Sequence, residues 1–108
     1  MPKLIQQIDI EDMTSEAAAP TTPEIQKTLE ERGKRYGSFF DHANIAQCMK
    51  TAWWSYPGWQ NLKNDQRQAL EVIADKIARI LNGDPNYVDN WHDIQGYAKL
   101  VEDRLNGN

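Results

Sequence analysis

Two stretches with apolar residues at helical spacing, joined by a short turn, constrain this chain more than anything else in it. In Gln66–Leu81 the residues Leu70, Ile73, Ile77, Ile80 and Leu81 recur at the period of one helix face. In Asp89–Leu105 the same holds for Trp91, Ile94, Ala98, Val101 and Leu105. Between them lies Asn82-Gly83-Asp84-Pro85. Gly83 suits a helix end, and Asp84-Pro85 prevents continuation. So short a link predicts an αα-hairpin. Asp89 and Asn90 are both plausible caps for its second helix. Gly96 is unusual in mid-helix, where it costs about 1 kcal/mol against Ala. It predicts a helix crossing or the close approach of a ligand.

Upstream, Thr21-Thr22-Pro23-Glu24 has the residues of a helix start. This first helix is expected to run to about Arg32 and to stop at Gly33, with Ile25 and Leu29 as a thin apolar stripe. Gly33 and Gly37 would then bracket a turn. Ser38-x-x-Asp41 resembles a capping box for a second helix. There Ile45, Cys48, Met49, Ala52 and Trp53 form a full apolar face, with Cys48 as a small core residue. Pro57-Gly58 breaks regular structure, so Trp53 to Trp59 reads as a loop. Asn64-Asp65 is expected to cap the third helix.

The fold class is therefore all-α. A four-helix bundle-like domain over residues 23–108 ends in the hairpin and follows a flexible N-terminal arm, residues 1–22. The arm holds Leu4, Ile5, Ile8 and Ile10, and is expected to be mobile or to dock on a neighbouring subunit. That arm, the thin first stripe and four tryptophans predict a homo-oligomer, a dimer in the simplest case.

With 108 residues the chain makes one domain. Its net charge is −4, but residues 1–23 hold one lysine against four acids, so the rest carries only −1. A near-neutral body argues against duplex nucleic acid as a partner. No apolar run is long enough to cross a membrane and no leader is evident, so a cytoplasmic protein is expected. The lone Cys48 excludes an internal disulfide and a cysteine zinc cage.

Chemistry concentrates on the last two helices. Glu71 and Asp75 stand at i and i+4, as do Asp89 and Asp93. Such pairs on facing helices can hold Mg²⁺. The candidate metal ligands are Glu71, Asp75 and Asp93. The candidate ligand-binding residues are Lys76, Arg79, Asp89, Asp93 and Tyr97. Against this, Lys76 or Arg79 could simply pair with Asp89 or Asp93, and Asp75 with Arg79. No catalytic residue can be named. Trp54, Tyr56 and Trp59 are the candidate partner contacts, the alternative being a hydrophobic plug that closes the bundle.

Several phrases carry a resemblance. Tyr36-Gly37-x-Phe39, Lys76-Ile77-x-Arg79-Ile80, Gly83-x-Pro85 and Asp89-x-Trp91-x-Asp93-Ile94-x-Gly96-Tyr97-x-x-Leu100 resemble a group of small uncharacterised phage and prophage proteins. More remotely, the phrase from Asp89 to Tyr97 is similar to the last metal-binding helix of the all-α, MazG-like NTP pyrophosphatases. That likeness implies a Mg²⁺-dependent nucleotide pyrophosphohydrolase, or a protein that sequesters a nucleotide such as a host defence signal, inside the infected bacterium. Those enzymes carry Glu-Glu-x-x-Glu on the earlier helix. Here the stretch reads Leu70-Glu71-Val72-Ile73-Ala74-Asp75-Lys76, one acid short and with a lysine inside. The competing expectation is a non-enzymatic inhibitor that binds a host protein through the tryptophan-rich loop.

Overall fold

The computed structural model of the protein describes residues 22–108. The arm, with its aliphatic residues, lies outside the described residues except for Thr22. Four helices follow: α1 (Pro23–Tyr36), α2 (Phe39–Trp54), α3 (Asn64–Asn82) and α4 (Val88–Leu105), with a 3-10 helix, Pro57–Asn61, between α2 and α3. The all-α class and the C-terminal hairpin are as the spacing predicts.

The starts of the helices follow local chemistry. Thr22 caps α1, its Oγ1 accepting from the Ile25 amide at 3.1 Å. Ser38 caps α2, accepting from the Asp41 amide at 3.2 Å. Several boundaries differ from the sequence reading. α1 does not stop at Gly33 but continues to Tyr36, and Gly37 at φ 74° closes it. Gly33 needs no left-handed backbone and is simply tolerated inside the helix. Trp53 and Trp54 belong to α2, and Pro57 starts a 3-10 turn, so the expected loop shrinks to two residues. At the N-termini of α3 and α4 the caps are Lys63 and Tyr87, one or two residues before those expected. The Lys63 amide donates to the Gln66 side chain at 2.8 Å, which does the work of a cap.

α3 lies in the middle, with α2 along one side and α4 along the other, both antiparallel to it. Where it meets them it carries small residues: Ala69, Ala74 and Ala78 are buried, as is Ala46 of α2. These alanines are the only buried hydrophobic residues among those described. Leu70 and Leu81, expected in the core, are exposed, and so are Trp91 and Leu105 of α4. Cys48 is exposed rather than core. The reason is geometric. With one neighbour on each side, α3 buries its two flanks, and in the broad apolar stripe between them Ile73 and Ile77 are half-buried and Leu70 and Leu81 exposed. The described residues span 48 × 28 × 22 Å with a radius of gyration of 15.8 Å. A compact domain of that length would have roughly 12 Å.

Gly96 is not at a crossing. A Cβ built there meets nothing within 4 Å. Gly96→Ala is therefore expected to raise stability by about 1 kcal/mol, the helix-propensity gain at an exposed site. Urea unfolding checks this, and a loss would show that the position contacts something outside the single chain.

Candidate functional site

The acids and cations of α3 and α4 are brought into pairs rather than into one cleft. Glu71 and Asp75 point to α2. There the Trp54 indole Nε1 donates to Glu71 Oε2 at 3.2 Å, and Lys50 Nζ donates to Asp75 Oδ1 at 2.9 Å. Lys76 points to α4 and lies 2.9 Å from Asp93 Oδ2. The Lys50 and Lys76 side chains are largely buried, at 14% and 15% exposure, so each ammonium depends on its acid for compensation. Asp89 accepts from the Tyr87 hydroxyl at 3.0 Å. Tyr97 is half-buried on α4. Of the expected ligand set, only Lys76 and Asp93 meet. Glu71, Asp75 and Asp93 are divided between the two flanks of α3. Among the described residues, no group of three or more His, Cys, Asp or Glu side chains is placed to hold a metal ion.

Arg79 sits elsewhere. Its guanidinium lies over the Tyr36 ring, 4.5 Å from the centroid, and not against Asp75. Arg32 approaches the same ring at 5.2 Å, and Arg35 lies 4.9 Å from the centroid of Tyr87. The two tyrosines meet edge to face at 6.2 Å. The hydrogen bond to Asp89 pushes the Tyr87 hydroxyl above its ordinary pKa. This cluster of three arginines and two tyrosines escaped the sequence reading, which had only the Arg32–Tyr36 spacing to suggest it. It forms where α1 and α3 both end. Two helix C-termini bring partial negative charge there, which the guanidinium groups offset.

Comparison with protein-family models, with curated proteins and with solved structures finds no match. The family likenesses therefore rest on the motif residues quoted for them.

The end of α2 carries the third group of candidates. The rings of Trp53 and Trp59 stack at 6.3 Å, both half-buried. Arg67 of α3 clamps the turn beneath them, donating to the carbonyls of Trp59 at 3.3 Å and Gln60 at 3.0 Å. This stack pairs Trp53 with Trp59, the latter one of the expected partner contacts. Trp54 and Tyr56 stay outside it, 43% and 71% exposed. Further along, Arg104 grips Asp65 with two hydrogen bonds of 2.8 and 2.7 Å and holds that carboxyl below its usual pKa. This pair ties the end of α4 to the start of α3.

Proposed function

We propose that the protein is a non-enzymatic binding module that takes a partner protein on the aromatic edge formed by Trp54 and Tyr56. One observation carries this reading: two exposed aromatic side chains, one ending α2 and one on the turn after it, are braced from beneath by the Trp53–Trp59 stack and the Arg67 clamp. Aromatic anchors on a pre-ordered support lose little entropy on binding, and such residues dominate interface energetics. The test is a photo-reactive benzoylphenylalanine at position 56 of the full chain, expressed in bacteria. A discrete protein adduct is expected, and Trp54→Ser should abolish it while the circular dichroism stays unchanged. An adduct that survives Trp54→Ser, or no adduct at all, contradicts the reading.

A second reading keeps the nucleotide but drops its hydrolysis. It draws support from the Arg79 guanidinium over the Tyr36 ring, which suits a phosphate-bearing ligand with a flat base, whereas Arg35 is paired with Glu31. The acids expected to hold Mg²⁺ are already engaged by Lys50, Lys76 and the Trp54 indole. A thermal-shift screen of nucleotides with and without Mg²⁺ tests it. Stabilisation that Arg79→Gln removes, and that does not need Mg²⁺, is the expected outcome.

A further inference from the structure

The contacts of α3 fix what each of its sides faces. Glu71 and Asp75 reach α2, Lys76 and Asp65 reach α4, and Arg79 meets Tyr36 of α1. At about 100° per residue, Leu70, Ile77 and Leu81 fall within about 20° of one line, on the side opposite Arg79. Along that line Ile77 is half-buried, and Leu70 and Leu81 are exposed. Leu81 is 67% exposed.

The neighbouring helices continue it. In an antiparallel pair, the same sense of rotation away from the contact line leads to the same side of both helices. On α4, turning from Asp93 and Arg104, which face α3, leads through Val101 and Ile94 to Leu105, Ala98 and Trp91. On α2, turning from Ala46 and Lys50 leads through Trp53 to Met49 and Ile45. All three apolar stripes therefore lie on one side of a flat α2–α3–α4 layer. The opposite side of α3 is polar, with Gln68, Asp75 and Arg79.

We infer that this apolar side is the face on which a second copy of the chain packs, making a two-layer helical homodimer. Two observations choose a second copy over another occupant. The first is the lack of an interior. The described residues bury alanines and no large apolar side chain below the surface. Ordering the backbone costs about 1–2 kcal/mol per residue, and only extensive apolar burial offsets that. Every folded copy therefore needs this face covered, and the partner always present in equal amount is the chain itself. Obligate interfaces of this kind resemble a domain core cut in half. The second is charge. A partner related by a two-fold axis presents the same charges, so a self-complementary face must be neutral. Gln66, Leu70, Ile73, Ile77 and Leu81 carry none. The neighbouring cations Lys50, Lys76 and Arg104 are already paired within the chain.

Sedimentation velocity on the full chain, across micromolar concentrations, tests the inference independently of the Trp54 edge. The expected species has twice the 12.4 kDa chain mass. Leu81→Glu and Leu100→Glu make a matched pair, since the residues are 67% and 65% exposed but lie on opposite sides of the layer. Leu81→Glu is expected to weaken the dimer about tenfold or more, or to unfold the chain, and Leu100→Glu to leave it intact. Unfolding counts for the inference, because a side chain two-thirds exposed has little to lose within one copy. A wild-type monomer at high micromolar concentration overturns it. So does a dimer insensitive to Leu81→Glu, or a monomer whose dye-binding apolar surface appears only after residues 1–21 are removed, which would make the arm the cover.

Discussion

Gly83→Val is expected to destabilise the protein by about 3 kcal/mol or more, lowering the melting temperature by at least roughly 10 °C. Its φ of −139° lies outside the left-handed region. The cost is steric. A Cβ at this position would run into the carbonyl of Arg35 and the Cα of Tyr36, main-chain atoms that cannot rotate aside. This is the joint that fastens α1 to the end of α3. Asn82 Nδ2 donates to the carbonyls of Tyr36 at 2.7 Å and Ser38 at 2.9 Å, and the Asp84 amide donates to Arg35 at 2.7 Å. Gly37 faces the same joint from the other side, with φ 74° and the Asn82 carbonyl where a Cβ would go. Gly33→Ala is the control, since nothing lies within 4 Å of its Cβ. Equilibrium urea unfolding gives the comparison. If Gly83→Val stays within about 1 kcal/mol of wild type, α1 is not held by this joint.

Asp93→Asn is expected to cost about 1–3 kcal/mol, between the limits for exposed and buried pairs. Asp93 is 40% exposed, which discounts the loss, but Lys76 is only 15% exposed and would keep its charge without its partner. The double variant Lys76→Met with Asp93→Asn should recover part of that loss, because methionine fills the space of the lysine stem and needs no anion. The opposite pattern, stability unchanged with nucleotide stabilisation abolished, would place Asp93 in a ligand site and remove its structural role.

How much was legible in the sequence depended on whether the deciding interaction was local. Helix existence, the Thr22 and Ser38 caps and the Gly83-Asp84-Pro85 turn are written within a few residues, and they were readable. The Lys76–Asp93 pairing was one of the alternatives, because both lie toward the hairpin contact. What could not be read was which stripe would be covered. Periodicity marks Leu70, Ile77, Leu81, Trp91 and Leu105 as apolar without saying what lies against them. Among the described residues, only the alanines are fully buried apolar groups. Gly96 misled because a glycine without a local role looks the same as one at a crossing. The crowded glycines, Gly37 and Gly83, are those that end helices, so their second role was hidden behind the first. The arginine–tyrosine cluster joins residues from α1, α3 and the turn before α4, and no short motif spans them.

The order of the helices in the layer has a kinetic consequence. α2, α3 and α4 lie side by side in the order in which they occur along the chain, joined by connections of nine and five residues. Each contact surface can form between neighbours in sequence, without closing a long loop. Chains of this type collapse in microseconds to milliseconds. The α2–α3 and α3–α4 hairpins can each form first, so α3 should acquire protection early from either direction. If a second copy covers the apolar side, such a layer would outrun its own assembly. At low protein concentration the slow phase should then be bimolecular, and the observed rate should rise with chain concentration while the early helical signal does not.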